Sequence, residues 1–320
     1  MKMIIHNGYF LAKILLDSLD KKEYLVFEVD NKYEYKSKIY KHIFGFINLI
    51  IIIFYKKFSY LFNNKKKEEE VLLFSIDEIE LLPKLLWKYR KAKNIHLWLW
   101  NPCNKILRNK YEMLLYITLL KQTGLLIWTF DKSDSETYNF NFHEQIYSNK
   151  LVTEYREEAK PNLYDLIFVG QDKGRLDELK KIMNILESYN LKYFFFIIPD
   201  KNKTYTTNDL KLMSTSSINY KDVLSLINNT KCILDIVQNG QYGATLRELE
   251  ALFFNKKLLS NRESINISFA IENFIKLENI YKDSSKILEF LNSNMKENRE
   301  VNNYDINHLI NMIFKNTPNP

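Results

Sequence analysis

Cysteine is nearly absent from this chain: Cys103 and Cys232 stand far apart among 320 residues, so no disulfide framework is implied. Glycine and proline are scarce, at seven and six. With abundant Lys, Asn and Ile, that bias is one an AT-rich genome produces as readily as function does. No arginine-rich tract and no motif of stacking aromatics occurs, which places nucleic acid last among anionic partners. The N-terminal residues MKMIIHNG lack the apolar core and small-residue cleavage site of a signal peptide, so the cytoplasm is the expected location.

What is present describes a globular chain. Hydrophobic residues make up 46% and charged residues 27%, and the length is enough for two domains with separate cores. The net charge of +7 invites an anionic partner. One segment stands out. Residues 43–55 (IFGFINLIIIIFY) form an almost continuous apolar run, too short to span a bilayer. Lys36, Lys38 and Lys41 precede it; Lys56, Lys57, Lys65, Lys66 and Lys67 follow. Two readings stand side by side: a helix over 43–62 lying on an anionic leaflet, peripheral on the inner face of the cytoplasmic membrane, or a buried core helix.

Along the first half, apolar runs predict strands over 3–5, 24–29, 71–76, 95–100 and 125–130, with helices over 10–19, 81–91 and 110–123 between them. Residues 130–161 read as a polar connection. The alternation restarts with strands over 163–169, 193–198, 232–237 and 257–260 and helices over 175–189, 220–228 and 245–254; the remainder, with 284–292 and 305–315, reads as helical. Strand–helix–strand spacing of this kind argues for parallel sheets with crossover helices. The expected architecture is α/β: two doubly wound, Rossmann-like domains facing a cleft, residues 1–150 and 151–320.

In open α/β sheets, ligands bind beyond the carboxyl ends of the strands. The loop Gly170-Gln171-Asp172-Lys173-Gly174-Arg175 combines two glycines with two cations at a helix start, a pattern suited to a diphosphate. The loop after the 232–237 strand runs through Gln238 to Gly243-Ala244-Thr245, where free N–H groups at a helix start can hold a phosphate. Arg247 lies in the first turn. Glu250, three residues on, can share its face and accept hydrogen bonds from a ribose diol, or simply pair with Arg247 at the surface.

The stretch CILDIVQNGQYGATLRELEALFFNKKLLS resembles a motif of bacterial lipopolysaccharide and capsule biosynthesis glycosyltransferases, roughly DIVQ-x-GQ-x-G-L-T-x-R-x-x-EAL-x-x-x-KKLIT. YDLIFVGQDKGRLDELKKI resembles the opening of the same family's second domain, and WLWNPCNK and IWTFDKSDSETYNFNF resemble landmarks of its first. The resemblance implies a GT-B fold with a nucleotide-sugar donor on the C-terminal domain and a saccharide or lipid-linked saccharide acceptor on the N-terminal one. Carried across, Gly170, Gln238, Gly243 and Ala244 belong to the donor site. Lys173, Arg175, Thr245 and Arg247 contact the diphosphate, and Glu250 holds the ribose. Two departures appear: Tyr242 stands where related retaining transferases carry the first Glu of a Glu-x7-Glu pair, and Ala244 replaces the usual Leu.

No Asp-x-Asp occurs, the carboxylate pair with which GT-A enzymes hold a divalent cation; Glu28-Val29-Asp30 is a near miss outside any nucleotide-binding context. The expected donor site therefore has neither metal nor cofactor, with the nucleotide, weakly favoured as uridine, entering as substrate. An inverting transferase also needs a base for the acceptor hydroxyl. His6, at the end of the first strand, and Asp77, just beyond the 71–76 strand, are the candidates, with Asp131 and Asp134 a third option; His96 and His143 are less attractive, and His96, early in an aromatic strand, reads as structural. The alternatives are a nucleotide-sugar-binding scaffold that has lost its base, or another GT-B enzyme such as a sugar epimerase. The five histidines make a His-rich glycerol-phosphate polymerase a poor fit.

Overall fold

The computed structural model describes residues 1–29, 38–58, 68–107, 109–156, 163–238 and 243–315, with the side chains of 38–41 and 156 outside that description. Residues 59–62 of the apolar segment, the flanking Lys36, Lys65, Lys66 and Lys67, and Tyr242 lie outside it too.

The chain divides into two compact units: Met1–Ile146 with Ile306–Pro320, and Tyr147–Asp305. The first is built on a six-stranded sheet of β1 (Lys2–His6), β2 (Tyr24–Glu28), β3 (Glu70–Phe74), β4 (Asn94–Leu99), β5 (Leu126–Thr129) and β6 (Asn141–Phe142). Their spatial order is β2-β1-β3-β4-β5-β6. The second carries β7 (Tyr164–Gln171), β8 (Tyr193–Ile198), β9 (Thr230–Asp235), β10 (Lys257–Ser260) and β11 (Phe274–Lys276), ordered β11-β10-β9-β7-β8. Every pairing in both sheets is parallel. Each unit is thus an α/β, doubly wound, Rossmann-like sheet in which the second strand lies on one side of the first and the third on the other. The points where strand order reverses, β1/β3 and β7/β9, are where this topology opens a crevice for ligands.

The strands form where expected because Val71–Phe74 and Leu97–Leu99 are buried on both faces, as parallel strands covered by helices require. The polar stretch 130–161 is more ordered than its composition suggests. Asp131 caps a helix, Lys132–Tyr138, by accepting the Asp134 amide, and Asn139 ends it in the left-handed region at φ 50°. Beyond it β6 completes the first sheet, so the expected connection is sheet edge and its covering helix. In the second unit, the helix Thr207–Lys211 and the strand β11 were not foreseen, both too short to show a period; β11 interrupts a stretch expected to be helical, and Leu277–Lys282 is helical as expected.

The C-terminal helix, Ile306–Lys315, clusters with the first unit, although the sequence reading placed it in a second domain running to residue 320. Its apolar face explains why: Ile306, Leu309, Ile310 and Ile313 are fully buried, and the Phe314 ring stacks on Tyr24 at 5.8 Å and meets His96 edge-on at 6.1 Å. Sequence position does not reveal which sheet such a stripe covers.

Residues 43–57 of the apolar segment lie in one long helix, Lys38–Lys57. Leu49 and Ile52 are buried in the core between the sheet and its helices. Ile43, Phe44, Ile47, Ile50, Ile51 and Phe54 on the other side are exposed. The core reading holds for the face that carries Leu49 and Ile52. No helix among the described residues is long and apolar enough to cross a membrane.

Candidate functional site

The loops beyond β7, β9 and β10 gather three arginines around one buried carboxylate. Asp235 ends β9 fully buried; its Oδ2 accepts the Thr245 hydroxyl at 2.9 Å, its Oδ1 lies 3.4 Å from Nη1 of Arg247, and Nε of Arg262 stands 3.9 Å away. Thr245 caps the helix Leu246–Phe253 in a reciprocal box: its hydroxyl accepts the Glu248 amide at 3.1 Å, and its own amide donates to Glu248 Oε2 at 2.8 Å. Two of the N–H groups expected to be free at that helix start are therefore taken. The Thr245 and Glu248 amides and the Thr245 hydroxyl are already satisfied within the protein.

Arg175 is likewise not a free cation. Its Nε, Nη1 and Nη2 donate to the carbonyls of Asp172 (3.0 Å), Ile236 (2.8 Å) and Gln171 (2.8 Å), clamping the β7 loop to the end of β9. Burial, and then the neighbouring charge of Arg247, hold its pKa down to about 10. Arg247 reaches across from its helix to donate to the Val169 carbonyl at 2.5 Å. The two guanidinium groups share the Phe168 ring, Arg175 at 5.4 Å and Arg247 at 4.9 Å from its centroid. Gly170 makes this approach possible, because a Cβ at that position would run into the Arg247 guanidinium.

Lys173 is exposed in the left-handed region (φ 45°), its amide donating to Asp200 Oδ1 at 3.1 Å. The exposed Gln238 lies beside it, donating to the Lys173 carbonyl at 3.4 Å. Asp172 is buried beneath the loop. Burial opposes its charge, but hydrogen bonds from Lys203, Tyr205 and the Leu176 amide outweigh that and hold its carboxyl below the ordinary range. Gly243 and Ala244 are half-buried, and the Gly243 carbonyl accepts Nη2 of Arg262 at 2.6 Å. Sequence reasoning missed Arg262. The signal was its place two residues beyond β10, the neighbour of β9.

Glu250 is buried, and its Oε1 accepts the Tyr220 hydroxyl at 2.8 Å; Tyr220 in turn hydrogen-bonds to the Tyr147 hydroxyl at 2.9 Å. Arg247 pairs with Asp235, so the alternative of a Glu250–Arg247 surface pair does not hold. Burial raises both Glu248 and Glu250 to about 7, despite Arg262 acting on the first and the Tyr220 hydrogen bond and Arg247 on the second.

In the first unit, His6 and Asp77 both stand at the β1/β3 edge. His6 is buried, and its Nδ1 accepts the Gly8 amide at 3.1 Å. A neutral imidazole that accepts at Nδ1 carries its proton on Nε2, which makes that nitrogen a donor rather than a base. Burial lowers its pKa against the opposing charge of Glu28, keeping the ring neutral. Asp77 accepts the Asn101 amide at 2.9 Å. Asp131 and Asp134 are occupied as helix cap and as acceptor of the Cys103 amide at 2.7 Å. His96 accepts the Trp128 indole at 3.2 Å, and His143 meets His308 at 3.0 Å; burial holds both rings near 4, in keeping with structural roles.

The residue overlooked at this edge is Glu78. Its Oε1 accepts the Asn7 side chain at 3.3 Å, tying the β1 loop to the β3 loop, while Oε2 is buried without a hydrogen-bond partner. Burial raises its pKa. That oxygen is thus desolvated and unpartnered at a strand-order reversal. Among the described residues no cluster of three His, Cys, Asp or Glu side chains is placed to hold a metal ion.

No family model matches the sequence, and no curated protein does. Solved structures do match. The chain is similar to an α,α-trehalose-phosphate synthase (UDP-forming) from Burkholderia vietnamiensis, with a TM-score of 0.58 and 8% identity over 98% of this chain and 96% of that one. It is also similar to a trehalose-6-phosphate structure from E. coli bound with UDP-2-fluoro glucose, with a TM-score of 0.52 and 10% identity over 98% and 96%. A UDP-forming synthase from Burkholderia xenovorans matches with a TM-score of 0.52 and 10% identity over 95% and 92%. At such identities the likeness is one of fold: the chain has the GT-B-like α/β architecture of these glycosyltransferases.

Proposed function

We propose that the chain is a glycosyltransferase that moves a sugar from a nucleotide-diphosphate donor, uridine-linked, to a saccharide or lipid-linked saccharide acceptor in bacterial surface-polysaccharide assembly, without a metal. The observation that carries this reading is the pair of guanidinium groups converging on Phe168 at the β7/β9 reversal. Two like charges held together in a partly desolvated edge are favourable when an anion joins them. The fold neighbours include UDP-forming synthases and a structure holding a UDP-sugar, which supports a UDP-linked donor.

In this reading Arg247 and the exposed Lys173 meet the diphosphate, while Arg175 and Thr245 hold the loops that present it. Gln238, Gly243 and Ala244 line the nucleotide-sugar site, and Glu250 accepts from the ribose. Glu78 is the base, replacing His6 and Asp77. It removes the acceptor hydroxyl proton as that oxygen bonds to the anomeric carbon, the sugar–phosphate bond breaks, and the leaving diphosphate takes up the electron pair. The competing reading, a scaffold that binds nucleotide-sugar without turnover, draws on how many polar groups of Arg175 and Thr245 are already bound internally.

A thermal-shift screen of nucleoside diphosphates, followed by UDP release from UDP-sugars, tests the proposal. The preferred diphosphate raises the unfolding temperature by mass action. If none of them does, the donor site is wrong. A shift without UDP release in the presence of saccharide acceptors favours the scaffold.

A further inference from the structure

Among the described residues, the helix Lys38–Lys57 has one face that nothing in its unit covers. At 100° per residue, Ile43, Phe44, Ile47, Ile50, Ile51 and Phe54 fall within an arc of about 120°, and Phe54 is 58% exposed. The opposite side is core: Leu49 is 0% and Ile52 1% exposed. The neighbouring helix Lys110–Gln122 adds the exposed Leu114 and Leu115. An apolar stripe this long on a water-facing helix is costly unless something covers it.

We propose that this face is a docking surface for an anionic lipid bilayer, with the helix lying in the plane of the headgroups. Geometry rules out the other membrane arrangement. The buried side of the helix belongs to the core of the first unit, so the helix cannot leave the fold to span a bilayer and offers only its outer face. Charge selects the partner. The helix has no carboxylate and carries lysines at both ends of its sequence, Lys38 and Lys41 at one and Lys56 and Lys57 at the other; Lys56 donates to the Thr123 carbonyl, and Lys57 is exposed. Apolar side chains between cationic ends match acyl chains beneath anionic headgroups. A second copy packed antiparallel on this face would instead set lysines against lysines, with no acid on either helix to offset them. The inference stands apart from the transferase reading, since none of these residues belongs to the site at either strand-order reversal.

The test is sedimentation of the full chain with vesicles of phosphatidylcholine alone and of phosphatidylcholine mixed with phosphatidylglycerol. Wild type is expected to partition about tenfold more strongly onto the mixed vesicles and to lose most of that preference when salt rises from about 0.1 M to about 0.5 M. The triple variant Ile47→Glu, Ile51→Glu, Phe54→Glu is expected to lose partitioning at least tenfold, on the order of the lost apolar insertion, with unchanged circular dichroism and unchanged thermal response to nucleotide. Should the triple variant fail to fold, Phe54→Trp gives the same information: its fluorescence should shift to the blue on mixed vesicles and be quenched by brominated acyl chains. Equal partitioning of variant and wild type, no preference for the anionic vesicles, or an unquenched Trp overturns the proposal. So does a wild-type dimer in lipid-free sedimentation that the triple variant converts to monomer, because a second copy then covers the face.

Discussion

The Tyr220 hydroxyl donates to Glu250 Oε1 at 2.8 Å, and Tyr220 is itself hydrogen-bonded to Tyr147, so the carboxyl lies at the end of a buried chain of phenols. That environment penalises charge. Glu250 is held up to about 7 by burial, with the Tyr220 hydrogen bond and Arg247 opposing. A carboxyl that keeps its proton in the fold but loses it at about 4.5 when unfolded stabilises the protein fully below 4.5, and that stability is lost as pH rises through 7.

The first prediction follows from that sign. Glu250→Gln keeps an acceptor for Tyr220 and removes the titration, so the variant gains on wild type as pH rises from 5 to 8. The relative gain is on the order of 3 kcal/mol at the upper end. Buried His96 and His143, held near 4, tilt the wild-type curve the other way below about 6.5. The difference between variant and wild type is therefore the quantity to follow, by thermal unfolding monitored with circular dichroism. Parallel curves for the two proteins would mean that Glu250 is ionised throughout.

The second prediction concerns the acceptor side. If Glu78 is the base, Glu78→Gln preserves the hydrogen bond from Asn7 and lowers the transfer rate by about 10²–10⁴-fold. Donor binding should stay as in wild type. His6→Ala and Asp77→Asn should cost far less, as His6 presents a protonated Nε2 and Asp77 is paired with Asn101. Rates measured for all three variants decide the matter; a Glu78→Gln enzyme at wild-type speed returns the role to another group.

The third prediction concerns metal. With Arg247 and Lys173 meeting the leaving diphosphate, transfer should continue in the presence of a chelator at close to its full rate. Complete loss with EDTA and recovery with Mn²⁺ would require a metal-assisted mechanism instead.

Much of the fold was legible because parallel strands buried on both faces announce themselves as apolar runs; the runs at 71–76, 193–198 and 257–260 needed little adjustment. Ser75 shows where the reading overran, since its left-handed φ of 58° takes it out of the strand. The candidate site was legible as loops, from their glycines and cations, but not as contacts. Nothing in the spacing says that Thr245 spends its hydroxyl on Asp235 and Glu248, or that Arg175 gives three donors to carbonyls. Arg262 and Glu78 escaped because neither lies in a motif, Glu78 being passed over for its neighbour Asp77, and because contacts such as the Glu78–Asn7 hydrogen bond cannot be read from spacing.

The last prediction tests the donor site at its most exposed joint. Arg247 carries out three tasks visible in the structure: it bonds the Val169 carbonyl, pairs with Asp235 and lies over Phe168. If it also meets the diphosphate, Arg247→Ala should weaken UDP binding by about 1.5–3 kcal/mol, the range for a hydrogen bond to a charged group. Uridine, which has no phosphate, should bind about as it does to wild type. Removing the guanidinium also strips Asp235 of one counter-charge, so a general loosening of the loops is the competing explanation for a weak variant. Arg247→Lys separates the two. Lysine restores the charge beside Asp235 but not the planar fork, and should recover stability while recovering only part of the UDP affinity. Calorimetry with uridine, UMP and UDP on both variants, beside thermal unfolding, distinguishes the cases. Should Arg247→Ala bind UDP as tightly as wild type, the diphosphate does not sit at the β7/β9 reversal. The convergence of Arg175 and Arg247 on Phe168 would then be a feature of packing alone.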